Sequence, residues 1–455
     1  MKRDTQEIIE AVEARADELC ALSKEIWDYA ELSGEEVRSS ARLAEYLRER
    51  GFTVTQGVAG LDTAFEAVWG EGEPVIALLG EYDALPGVSQ NPVAERSPAR
   101  EDGPGHACGH NLLGAGMAGS AVALKDVMER RGIPGTIRYY GCPAEEIMLG
   151  KIVMTKAGVF DGADVCLTWH PMASNTVSDY SYSAMSSLKF RFAGKTAHAA
   201  AAPEQGRSAL DAVELMNVGA NYLREHVISQ ARIHYVITDG GGKPNVVPAR
   251  AESWYYVRAP YKHQVDEIVE RLVDISKGAA LMTGTEASHE MLSGCHNTLL
   301  NSALNRHLHD CMLRVPGPRW TPEERAFAKA VQDTFTEDVL RGALLEFSVP
   351  ELEGQVLHEG VTDLKPSPAF LAGSTDVSDV SNVVPTGQVF TCCMPVGTPG
   401  HTWQITACAG MSIGQKGMLY AAEVIADAAL GLLCDPELRA GVREDFERGR
   451  QKGTR

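Results

Sequence analysis

The sequence predicts an α/β protein in two parts. One is a mostly parallel-sheet domain with helices on both faces, and the other an inserted, ferredoxin-like α+β domain. Three observations carry this. Up to residue 182, apolar β-branched runs alternate with helical periodicity. Between residues 183 and 293 the order becomes β-α-β-β-α-β. After Asn297 the first pattern returns, so the larger domain is discontinuous, over 1–182 and 294–455. A chain of 455 residues has room for two cores.

The elements follow in order. Ile8, Val12, Leu19, Leu22 and Ile26 carry a helical pattern over 5–31, and a second helix over 35–50 stops at Gly51. Thr63–Trp69 and Val75–Gly80 read as strands around a Gly-Glu-Gly-Glu turn. His110–Arg131 reads as a helix rich in small residues and ended by Gly132, followed by strands at 136–142 and 165–170. The inserted domain has strands at 188–192, 232–238, 251–258 and 287–292, with helices at 208–225 and 264–279. Helices over 298–314, 322–339 and 410–433 and a strand near 388–394 complete the larger domain, and the charged tail 439–455 is expected to be exposed.

The formal charge of −19 argues against a nucleic-acid partner, because phosphate contacts need a Lys/Arg footprint. Residues 1–30 mix acids and bases without an apolar core, so no signal peptide is expected. No run reads as the ~20 apolar residues needed to span a bilayer, so no membrane partner is expected either. The ten cysteines form no CxxC pair, which fits reduced thiols in a cytoplasmic protein.

Five segments carry chemistry. Gly80-Glu81-Tyr82-Asp83 follows a strand, where α/β folds place their sites. Alone, Asp83 reads as a loop cap. His106-Ala107-Cys108-Gly109-His110 sets a thiol between two imidazoles in a glycine-rich turn that opens a helix. Pro143-Ala144-Glu145-Glu146 ends a strand, and adjacent carboxylates suit one metal ligand beside one proton acceptor. Trp169-His170-Pro171 ends another strand, and Pro399-Gly400-His401-Thr402 precedes the last long helix. A lone histidine at a strand end is more often structural. Jointly, these donors can fill two metal sites that share one ligand.

These residues carry a family resemblance. The chain resembles the metallopeptidase family that includes aminoacylase and glutamate carboxypeptidase, and its HACGH, PAEE, WHP and PGH segments, present in order, mark one branch of it. The chain resembles its amidohydrolase branch, with hippurate hydrolases, auxin-conjugate amidohydrolases and aminobenzoyl-glutamate hydrolase. Residues 371–381 and 400–404 resemble most the B-type chains of the last. The resemblance implies that Cys108 bridges two divalent ions, zinc or manganese, with a one-ion site left open. Glu146 and His401 would complete one site, and His110 and His170 the other. Glu145 would be the general base. The peptidase branch has a metal-ligating His where this chain has Glu81; His110 takes its place, and Asp83 would orient His110. Asn111 stands where many relatives have Asp. The inserted domain resembles a lid and dimerisation domain. There His198 would stabilise the oxyanion, and Asn245 and Arg258 would hold the substrate carboxylate.

The expected function is metal-dependent hydrolysis of the amide of an N-acyl amino acid, aminobenzoyl-glutamate or a dipeptide. The expected assembly is a homodimer through the inserted domain, or a hetero-oligomer with a related chain. Three rivals stay open: a deaminase of an aromatic amine on the same scaffold, a non-catalytic binding subunit, and a hydrolase with Cys108 as nucleophile. The acyl group is not legible, and Gly240–Gly242 reads as a flexible loop.

Overall fold

The computed structural model describes residues 2–364 and 369–453. The chain divides into two compact units. The larger comprises Met1–Tyr180, Leu299–Ala369 and Asp379–Arg455, and the smaller comprises Ser181–Thr298 and Phe370–Ser378.

A seven-stranded sheet runs through the larger unit. Its four central strands, Gly135–Cys142, Val75–Glu81, Val165–Met172 and Thr386–Cys392, are parallel neighbours in that order. Antiparallel strands flank them. Val75–Glu81 is buried along its whole length, as a strand covered on both faces must be. All four parallel strands point their carboxyl ends the same way, so the turns that follow them converge on one edge of the sheet.

Helix His110–Arg131 lies against these strands, and its small residues set how close it comes. A Cβ at Gly114 would sit 2.7 Å from the carbonyl oxygen of Glu81. Its neighbour in the core is helix Ser412–Cys434. By length and composition this helix could cross a membrane, contrary to the sequence reading, but 78% of its apolar window is buried within the unit. It is a core helix, and its apolar run reflects burial on all sides.

Three helical expectations need correction. The pattern over 5–31 is two helices, Lys2–Glu13 and Ala16–Tyr29. The pattern over 322–339 breaks where Thr336 caps a new helix, Glu337–Glu346, by accepting from the Val339 amide. Within the charged tail, helix Pro436–Gly453 buries Val442 and Phe446, although residues 454–455 lie outside the described residues.

In the smaller unit an antiparallel sheet runs in the order Glu286–Cys295, Ala184–Ala193, Arg250–Ala259, Arg232–Asp239. With helices Ala209–Leu223 and Lys262–Thr283 this is the ferredoxin-like arrangement. Ala251, Tyr255 and Val257 alternate into the core shared with the helices, while Glu252, Trp254, Tyr256 and Arg258 take the other face. The distant stretch Phe370–Ser378 joins this unit: the Ser183 hydroxyl donates to Leu371 O, and Arg258 donates to Ala372 O.

Candidate metal centre

The turns after the four parallel strands assemble the site. Strand Val75–Glu81 delivers Glu81 and, two residues on, Asp83. Strand Gly135–Cys142 runs into Glu145 and Glu146, and His170 lies near the end of Val165–Met172. His401 follows strand Thr386–Cys392, at φ 58°. The helix starting at His110 brings Cys108 and His110 from the other side. Gly109, at φ 75°, makes the turn between them, and a Cβ there would lie 2.9 Å from Pro171. This explains the glycine in that segment.

The donor atoms form two groups that share one sulfur. Cys108, His110 and His170 offer three ligand atoms within 4.8 Å of one another, and so do Cys108, Glu146 and His401. A third group joins Glu81, His110 and Glu145. Cys108 Sγ is 3.3 Å from His170 Nε2, and His401 Nε2 is 3.4 Å from Glu146 Oε2. Two buried atoms aimed into this cluster, His110 Nε2 and Glu146 Oε1, have no hydrogen-bond partner among the described residues. Such orphans are costly unless something satisfies them. A thiol, three imidazoles and a carboxylate arranged in this way fit a pair of divalent cations.

Buried carboxylates orient the donors from behind. Asp83 Oδ1 lies 2.8 Å from His110 Nδ1, leaving Nε2 to face the cluster. The other Asp83 oxygen accepts from the Glu146 amide at 2.9 Å and from the Ser33 hydroxyl at 2.8 Å. Burial pushes Asp83 upward, but the bond to His110 and its charge outweigh this and hold the carboxyl near 2. Burial disfavours a charged His110, yet the Cys108 sulfur and Asp83 raise it well above its ordinary value. Burial brings His170 down to about 4 and drives the Cys108 thiol up.

Some predicted residues lie elsewhere. His106 is buried with Nε2 3.0 Å from Ile26 O, so the first histidine of its segment is structural. Asn111 donates to Ser23 and to Ala409 O, away from the donor cluster. His198, Asn245 and Arg258 belong to the smaller unit. There Ala199 N donates to Asn245 O, and His198 bridges Val246, which brings the first two segments side by side. His198 Nδ1 accepts from the amides of Ala200 and Ala201, so a neutral ring carries its proton on Nε2, free to donate. A cleft of about 570 Å³ beside them is lined by Thr196, Asp239, Gly241, Gly242 and Val247, so the glycine loop shapes a cavity. Arg258 Nη1 is tied to Ala372 O and, at 2.8 Å, to Ser374 Oγ.

Sequence reasoning missed two buried charges. Glu36 accepts at 2.8 Å from the amide of Ala144, one residue before Glu145. Lys151 reaches Glu81 at 2.7 Å. Glu36 opens a helix far from Glu145 along the chain, and nothing in its local pattern sets it apart from a surface acid.

Comparison with known proteins agrees with this architecture. The peptidase dimerisation domain signature matches residues 183–281. The chain is 41% identical to the B-type chain of p-aminobenzoyl-glutamate hydrolase from Escherichia coli, over 97% of this chain and 94% of that protein. It is 30% identical to Xaa-Arg dipeptidase of Mus musculus, over 96% and 91%. The crystal structure of a dinuclear metal-binding peptidase of the M20 family from Bacillus subtilis shares the fold, with a TM-score of 0.62 at 18% identity, covering 92% of this chain and 99% of that one. The chain therefore belongs to the M20 metallopeptidase family, in its amidohydrolase branch, and is a metal-dependent hydrolase of amide bonds.

Proposed function

We propose that the chain hydrolyses the amide of an N-acyl amino acid, with p-aminobenzoyl-glutamate the first substrate to try. The observation that carries this reading is the pair of three-donor groups sharing Cys108. Cys108, Glu146 and His401 would hold one ion, and Cys108, His110 and His170 the other, with zinc or manganese the ions to try first. When bound, such ions supply Lewis-acid activation of water and of the scissile carbonyl.

The protein's own groups do the rest. Glu145 accepts a proton as water oxygen bonds to the carbonyl carbon, and returns it to the amine nitrogen as the C–N bond breaks. His198 Nε2–H donates to the carbonyl oxygen as it gains charge, worth about 3–4 kcal/mol in comparable sites. Arg258 pairs its guanidinium fork with the amino-acid carboxylate, assisted by Asn245. The domain over 183–281 would join two copies of the chain, and the compartment we propose is the cytoplasm.

The test is amino-acid release from p-aminobenzoyl-glutamate, hippurate, indoleacetyl-aspartate and a dipeptide set, with and without chelator. Chelator-sensitive release is expected. Ammonia release without amino acid would favour a deaminase and sink the proposal. Glu145→Gln should keep its ions and lose about 10²–10⁴-fold in turnover. Cys108→Ala should lose bound metal by elemental analysis, and full metal content would refute the bridge.

A further inference from the structure

Lys151 is fully buried. Lysines are almost never so unless paired, so its surroundings need explaining. It is the second residue of helix Gly150–Lys156, which follows the turn that carries Glu145 and Glu146. Gly150 lets that helix begin hard against the turn, since a Cβ there would lie 1.8 Å from Pro143 O. Lys151 Nζ is 2.7 Å from Glu81 Oε1, and Glu81 is itself only 2% exposed.

The second Glu81 oxygen lies 3.3 Å from His110 Nε2, yet that nitrogen makes no hydrogen bond among the described residues. A free carboxylate at this distance would turn onto the imidazole. Here the other oxygen, Oε1, is held by Lys151. His110 Nε2 stays directed at the cluster it shares with Cys108 and His170.

We propose that Lys151 is a positioning residue of the metal centre: by holding Glu81 it keeps that carboxylate from capturing His110 Nε2. Glu81 is then a restrained neighbour of the ion site rather than one of its ligands. The inference rests on the reading that His110 serves an ion. It adds a role for a pair that spans the end of one strand and the turn after another.

The experiment measures zinc per chain and zinc affinity, by elemental analysis and competition with a chromogenic chelator, with thermal unfolding of the metal-free proteins as a fold control. Lys151→Met should weaken zinc binding by about 10–100-fold, the usual cost of losing a residue that orients a ligand. Adding Glu81→Gln to Lys151→Met should restore the affinity to within a few-fold, because the competing carboxylate is gone. Glu81→Gln alone should keep wild-type affinity. Unchanged binding in Lys151→Met, or no rescue in the double variant, overturns the proposal. Should Lys151→Met lack a cooperative unfolding transition, Glu81→Gln alone decides. Retained zinc supports a restrained neighbour, and lost zinc makes Glu81 a ligand and overturns it. A wild-type chain without zinc affinity would instead defeat the metal reading itself, a distinct result.

Discussion

Ala144 sits at φ 56°, a conformation that costs a non-glycine residue about 1–2 kcal/mol. Two buried carboxylates hold the turn there. Glu36 accepts from the amides of Gly34 and Ala144 and from the Thr63 hydroxyl, and Asp83 accepts from the Glu146 amide. The turn carries Glu145 and Glu146, whose carboxylates belong to the donor groups, and strained backbone is common at functional sites. Glu36→Ala should release the turn and lower turnover by about tenfold or more while metal content is kept. Glu36→Gln, which retains an acceptor for both amides, should recover much of that loss. Equal turnover in wild type and Glu36→Ala would remove Glu36 from the positioning of the base.

At the scale of elements, helix Ser412–Cys434 carries a cost that pH exposes. Burial, then repulsion from Glu13, raises the Glu423 carboxyl from its ordinary 4.5 to about 8. The folded chain therefore holds a proton that the unfolded chain gives up. Stability from this group is complete below about 4.5 and is lost as pH rises through about 8. Glu423→Gln removes that loss. At pH ~9 the variant should exceed wild type by a few kcal/mol in denaturant unfolding, since a tenfold change in proton affinity between folded and unfolded chain is worth ~1.4 kcal/mol. At pH ~4, below the unfolded value, the two should agree. The same difference at both pH values would show that Glu423 is not protonated in the folded core.

At the scale of the whole molecule, one edge of the smaller unit offers a test of the assembly proposed above. Its sheet ends on strand Arg232–Asp239, where Val236 is 56% exposed and Ile237 46%. An open edge with exposed apolar residues invites pairing with another chain. Light scattering should give about twice the 49.1 kDa chain mass. Ile237→Lys should shift this toward the monomer and leave metal content unchanged, because the donor cluster lies in the other unit. A dimer that survives the substitution would place the interface elsewhere.

By itself, the sequence determined most elements and the donor types. Strand Val75–Glu81, helix His110–Arg131 and the β-α-β-β-α-β order are legible because burial imposes a local period on apolar residues. Cys108, His110, Glu145, Glu146, His170 and His401 stand out because thiols, imidazoles and carboxylates at strand ends serve few other purposes jointly. Helix breaks at Arg15 and Thr336 were hidden, since one capping residue changes little in an amphipathic pattern. Only the tertiary structure decided which charges stand behind the donors. Glu36, Lys151 and the Ser374 contact with Arg258 act across long stretches of chain. A charged side chain looks the same in sequence whether it faces water or another charge, and burial, which makes the difference, exists only once the chain is folded.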